Sequence, residues 1–289
     1  MKKILSILSL SSLVLLSAGC SDFLDEENHS NVMQDFMSTP SGFGMALNSV
    51  YANVRSTYGT EEGIHGLMNP GTDELKNNIG GSNRCADIAN YDLEKYNANN
   101  EYPRKLWNDA YIHINTLNYL IENAAQVDVS TSALTAAQRD QYLGEAHFMR
   151  AYNYFHLVEQ FGDVTLTTTY NAAPTLSAER HDMVRVYEEV IIPDLLEAIR
   201  LCYPSPQLNK LESGRASGAA ARHLLSRVYL TLGWVFDKDP ANPAYAGNTQ
   251  TKYYNATKAK EYYTKAYTMA TNLIAEAPSL GLKLMEHYK

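Results

Sequence analysis

Five side chains with binding chemistry share one stretch that has neither helical nor strand periodicity, residues 72–102: Asp73, Asn77, Arg84, Tyr91 and Tyr96. Tyrosine rings offer flat faces to the apolar faces of pyranose sugars, while amides, carboxylates and guanidinium groups hydrogen-bond to hydroxyls. We read Tyr91 and Tyr96 as stacking platforms and Asp73, Asn77 and Arg84 as hydrogen-bonding groups. The competing reading is that Asp73 and the asparagines shape turns and that the tyrosines pack onto the next helix. A long segment without its own pattern inside a compact domain is usually functional or disordered.

Catalytic signatures are missing. The chain has no His-Glu-x-x-His zinc motif, no phosphate-cradling loop ending in Gly-Lys-Ser/Thr and no Gly-x-Ser-x-Gly elbow. Gly80-Gly81 is an isolated turn signal. His147 and His156 are nine residues apart, a poor ligand spacing on one helix, so both read as core or surface histidines. Asp237-Lys238-Asp239 starts like a calcium loop, but Asn242 and Asn248 stand where that loop needs Gly and Glu. The neighbouring Glu188 and Glu189 point to different helix faces. A glycosidase carboxylate pair is defined by spatial separation, which sequence does not carry. No metal and no cofactor is expected.

The N-terminus carries a different chemistry. Met1-Lys2-Lys3 precedes an apolar stretch from Ile4 to Leu16 and the small residues Ser17-Ala18-Gly19. That layout is a secretory signal, and its apolar core is short of the ~20 residues of a membrane span. Cys20 comes directly after it and resembles the acylated cysteine of a bacterial lipobox, with Ser17 where Leu is usual. Each buried acyl methylene contributes ~0.8 kcal/mol of membrane attachment. The run Ser21-Asp22-Phe23-Leu24-Asp25-Glu26-Glu27 resembles the export signal of Bacteroidetes surface lipoproteins, and it also suits a solvated tether.

Residues 1–19 are therefore expected to be the signal, 20–38 an acidic tether and 39–289 a helical domain. Loss of the signal with its two lysines moves the formal charge from −8 to −10. Such a chain is a poor partner for nucleic acid, whose binding requires neutralised phosphates. Cys85 and Cys202 are far apart; in an exported protein they could pair, but we read them as two free thiols. The 21 tyrosines against 7 phenylalanines and 2 tryptophans suit a core bordered by partly wet surfaces.

Six helices must position these groups. The first spans 41–55, with Ser41 or Thr39 as cap and a stripe of Met45, Ala46, Val50 and Val54. The second spans 104–125 with Pro103 in its first turn and a stripe of Leu106, Ala110, Ile114, Leu117 and Ile121. Thr135 and Gln138 make a capping box for the third, 135–161. The fourth, 182–202, buries Tyr187, Ile191, Leu195, Ala198 and Cys202 and should bend at Pro193. The fifth, 217–234, buries Ala221, Leu224, Leu225, Val228 and Leu232. The sixth, 255–277, shows Ala259, Tyr263, Ala266, Ala270, Leu273 and Ile274.

The third helix, "GEAHFMRAYNYFHLVEQFG", is apolar almost all round, so neighbours must cover it. Gly144 and Ala151 would admit a close partner. Arg150 needs a carboxylate there, with Glu145 or Asp163 as candidates, and is structural. No period-two run is long enough for a central sheet. Helix spacing of this size predicts an all-α superhelix of tetratricopeptide-like helix pairs with long connecting loops.

"WNDAYIHINTLNYLIE", "YLGEAHFMRAYNYFHLVEQFGDVTL", "VYEEVIIPDLLEAI" and "GRASGAAARHLLSRVYLTLG" resemble, in order and spacing, the SusD/RagB family. Members are roughly twice this long, so the chain looks like an N-terminal half, and Leu280, Leu282, Leu284 and Met285 are expected to need cover from the other half. The resemblance implies a non-enzymatic, surface-exposed lipoprotein of the outer membrane. It would sit on a SusC-type TonB-dependent transporter and capture oligosaccharides for import. The family's glycan-binding loops resemble the position of 72–102. A peptide-capture protein of the same architecture is the second reading, and a secreted helical glycan hydrolase the third.

Overall fold

A computed structural model describes residues 34–59, 67, 69–73, 86–91, 94, 97, 99–130, 133–173, 178–207 and 214–283. The chain divides into two units, Met1–Phe36 and Met37–Lys289. In the first, residues 34–36 are helical; the signal, Cys20 and residues 21–33 of the expected tether lie outside the described residues.

The second unit is helical. Helix α1 (Pro40–Gly59) starts where Thr39 Oγ1 accepts from the Gly42 amide at 3.0 Å. Phe43, Leu47 and Val50 face inward, whereas Met45, expected in the stripe, is 60% exposed. The larger Phe43–Leu47 pair decides which face turns to the core. Helix α2 (Glu101–Asn123) begins earlier than its apolar period, because the Asn100 side chain caps the Tyr102 amide and Pro103 needs no donor in the first turn. Ala110, Ile114 and Leu117 are buried as expected, with Leu120 rather than Ile121 completing the stripe.

Helix α3 (Ala136–Phe161) carries the expected capping box between Thr135 and Gln138 and ends at Gly162, whose φ of 67° suits glycine. It is the central element, packing on α2 and on the next long helical run. That run comprises α4 (Met183–Val186), a π-helical turn (Tyr187–Ile191) and α5 (Ile192–Leu201). The bend expected at Pro193 takes this form. The wider turn absorbs the missing donor and the crowding of the ring, and Pro193 falls in the first turn of α5. Tyr187, Ile191, Leu195, Ala198 and Cys202 are all buried. A Cβ on Gly144 would lie 2.8 Å from Leu201 Cβ and 2.9 Å from Cys202 Sγ, so only glycine admits this approach.

Helices α6 (Gly218–Phe236) and α7 (Ala256–Glu276) form the last pair, capped by Ser217 and Asn255. All five expected core residues of α6 are buried. On α7 the stripe is Ala259, Tyr262 and Ala266, while Ile274 is 72% exposed, so the expected stripe does not continue to the end of the helix. Tyr263 lies across Gly233, where a Cβ would come within 2.5 Å of the ring. One core cluster joins α2 and α3 to α6 and α7; a second joins α1 to α2 and α3. Between α3 and α4, β1 (Val164–Thr165) pairs antiparallel with β2 (Arg180–His181). Among the described residues no helix is long and apolar enough to cross a membrane.

Candidate functional site

The 72–102 segment is described in part. Asn77, Arg84, Tyr96 and Cys85 lie outside the described residues, as does Cys20. A single helical turn, Ala86–Ala89, is seated by Ile88, which clusters with Leu67 and Tyr102. Tyr91 comes just after it with φ at 52°, a left-handed backbone uncommon for a residue with a side chain. Its hydroxyl donates to the Gly71 carbonyl at 3.0 Å, and the residue is 69% exposed rather than packed onto α2. Gly71 itself has φ 84°, and a Cβ there would lie 2.9 Å from the Ala89 carbonyl. Asp73 is exposed just beyond a turn closed by Thr72 Oγ1 donating to the Asn69 carbonyl at 2.8 Å. The Tyr91–Gly71 bond therefore holds Tyr91 and Asp73 at one loop junction.

A larger concavity, which periodicity did not reveal, lies between the outer face of α2 and a strap of residues 165–173 and 178–181. Its volume is about 1070 Å³. Trp107 and Tyr111 stand on its α2 side with ring centroids 4.9 Å apart, and Phe161 meets Trp107 edge-on at 5.1 Å. The Arg180 guanidinium carbon lies 5.6 Å from the centre of the Trp107 ring. Tyr111 donates to the Thr165 carbonyl at 2.7 Å, and burial pushes its hydroxyl up to about 12, so it stays a neutral donor. Asn115 and Asn171 bond reciprocally, side chain to backbone, at 2.9 and 2.8 Å.

Buried polar groups bolt the strap to the helices. The Tyr154 hydroxyl both donates to the Thr167 carbonyl and accepts from its amide, at 2.8 and 2.9 Å. Asn118 donates to the carbonyls of Thr167 and Thr169. Arg150 meets neither Glu145 nor Asp163. It forms a bidentate pair with Asp194 of α5 at 2.7 and 2.8 Å and also donates to Asn118 at 2.9 Å. Helical geometry explains the correction: residues five apart do not share a face, and Asp163 instead accepts from the Met183 amide. Glu145 pairs with Arg215 at 2.9 Å, while burial pushes its carboxyl up. His147 Nδ1 lies 2.7 Å from Asp194, and His156 is buried and held neutral, its pKa lowered to about 4. Arg150 is thus structural, as expected, though its partner is not one of those expected.

Cys202 is free and buried, its thiol pushed up to about 12 by that burial. Lys238 is buried with Nζ 3.2 Å from the centre of the Trp234 ring, which fills the would-be calcium segment with a cation. Among the described residues no three His, Cys, Asp or Glu side chains gather as a metal set.

Residues 22–230 match the SusD-like family described as starch-binding and associating with the outer membrane. The chain belongs to this family. A SusD-like protein of Formosa agariphila, P2, is 27% identical over 227 residues, covering 76% of this chain and 42% of its own. A laminarin-binding SusD-like protein of known structure is 29% identical, with a TM-score of 0.56, covering 66% of this chain and 40% of its own. A SusD-like structure from Bacteroides fragilis, 20% identical with a TM-score of 0.58, covers 90% of this chain and 41% of its own and shares the fold. The SusD-like chain spans less than half the length of the curated relatives it matches, 42% and 43% of theirs.

Proposed function

We propose that this SusD-like protein captures oligosaccharides at the outer surface of the cell, without turning them over, and passes them to a SusC-type TonB-dependent transporter. Acylated Cys20 anchors it to the outer membrane, and the acidic residues Asp22, Asp25, Glu26 and Glu27 direct it outward. The sugar contacts the 72–102 loop, stacking on Tyr91 and Tyr96 and hydrogen-bonding to Asp73, Asn77 and Arg84. The observation that carries this reading is Tyr91: a residue 69% exposed, held by a hydroxyl bond to Gly71 and a left-handed backbone. Backbone in sparsely populated conformations gathers at binding sites, where it fixes side chains in advance.

The test is an oligosaccharide array followed by calorimetry, with laminarin as first probe because a relative binds it. Tyr91→Ala should cost about 1–3 kcal/mol, or roughly 5–150-fold in affinity, with melting unchanged. Tyr187→Ala and Tyr51→Ala should instead lower melting, since Tyr187 is fully buried and the Tyr51 hydroxyl accepts from the Ala216 amide at 2.8 Å. Hydrolysis of any bound glycan, or binding indifferent to Tyr91, would overturn the reading. Cys20→Ala should release the protein from membranes and abolish labelling by an alkyne fatty acid. Alanine at the four acidic positions should leave it anchored but shielded from external protease. Co-purification with a TonB-dependent transporter from solubilised outer membranes checks the partner.

A further inference from the structure

We propose that the groove between α2 and residues 165–173 and 178–181 is a second subsite, for a neutral oligosaccharide, separate from the Tyr91 loop. The proposal rests on the reading that the protein binds glycan. At about 1070 Å³ the groove reaches the upper end of the range for ligand sites, which is room for several sugar units. Its apolar part is built from Trp107, Tyr111 and Ile112, and Ile112 is 64% exposed on the outside of a helix, where a solvated side chain would be expected. Aromatic and aliphatic surface held open in this way matches the apolar face of a pyranose.

Its polar part has free hydrogen-bonding capacity. Asn108, Glu179 and Arg180 line the same groove, and their side chains make no hydrogen bond to any described residue, although Arg180 also lies against the Trp107 ring. An amide, a carboxylate and a guanidinium together offer donors and acceptors in the mix that a polyhydroxylated ligand uses. The charges of Glu179 and Arg180 cancel, so the groove presents no net charge that would draw an anionic or a cationic ligand, which suits a neutral one. A peptide adding itself as a strand would find β1 and β2 only two residues long each, and so few backbone partners. The walls are fixed before any ligand arrives, by Tyr111 on the Thr165 carbonyl and by the Asn115–Asn171 exchange. Such prior ordering lowers the entropic cost of binding.

The sequence has two tryptophans, and one of them stands in this groove. Trp234→Phe therefore leaves Trp107 as the sole indole reporter in the full chain. Neutral laminari-, cello-, xylo- and malto-oligosaccharides are titrated, with calorimetry and Trp107 emission read in parallel, beside a panel of short peptides. The expected result is a sugar that binds at two sites and changes Trp107 emission, with that change retained in Tyr91→Ala. Asn108→Ala combined with Glu179→Ala, both at exposed positions, should weaken the fluorescence-detected site at least tenfold and leave the Tyr91-dependent one intact. Calorimetric binding with silent Trp107 emission overturns the subsite but not the capture function. A Trp107 response abolished by Tyr91→Ala means one site and also overturns it. If none of the sugars binds, the capture reading falls and the subsite with it, and a response to peptides alone assigns the groove to the other ligand class.

Discussion

Removing the Arg150 guanidinium should be among the most damaging single changes to this fold. Arg150 and Asp194 keep only 9% and 4% of their side-chain surface exposed, and the bidentate bonds measure 2.7 and 2.8 Å. Arg150→Met leaves Asp194 buried with His147 as its remaining partner and strips the Asn118 oxygen of its donor. Breaking a buried pair from one side costs about 3–5 kcal/mol, because an uncompensated charge stays behind. For a domain of this size that is a fall of roughly 6–20 °C in melting temperature. Replacing both partners by apolar residues removes the charge as well as its partner. Arg150→Met combined with Asp194→Leu should therefore be at least about 2 kcal/mol more stable than the sum of the two single losses. Urea unfolding followed by circular dichroism gives all three values. Because Asn118 also clamps the Thr167 and Thr169 carbonyls, amide exchange in residues 165–171 should accelerate in Arg150→Met. A loss under about 1 kcal/mol in the single variant, or strict additivity in the double, would show that Asp194 is solvated and the pair incidental.

Three further outcomes are expected. Gly144→Ala should destabilise by up to about 2 kcal/mol net, since overpacking against Leu201 and Cys202 outweighs the helix-propensity gain of about 1 kcal/mol; a rise in melting temperature would show that α5 can retreat. His156 has a folded pKa of about 4, below its usual 6.5, so the unfolded chain takes up the proton first and stability falls as pH drops through 6.5, levelling near 4. That loss amounts to roughly 3 kcal/mol, and His156→Gln should lack it; matching acid profiles of the two proteins would refute the assignment. Thr135→Ala should cost about 1 kcal/mol in chemical denaturation, through loss of the capping box at the head of α3.

The sequence by itself determined where the helices are and most of what they bury. Caps such as Thr135 with Gln138, Ser217 and Asn255 act through neighbours a few residues away, and the 3.6-residue period of the Tyr187–Cys202 stripe is likewise local, so both are written in the chain. It also placed Gly144 at a close contact, because an apolar helix must be covered on every side. Tertiary structure decided what depends on partners distant in sequence. Arg150 found Asp194, forty-four residues away, because α5 crosses α3 there, and no spacing along the chain encodes that crossing. The exposed Met45 and Ile274 show the same limit: a period gives the stripe, but the neighbouring helix selects which edge of it is inside and where it stops. The Trp107 groove exists because residues 165–173 are tied back over α2 by Tyr111, Asn115 and Asn118, whose partners lie 49 to 56 residues further along the chain. Local chemistry is legible in a sequence because its cause is local, whereas a concavity belongs to no single segment and appears only when distant ones are brought together.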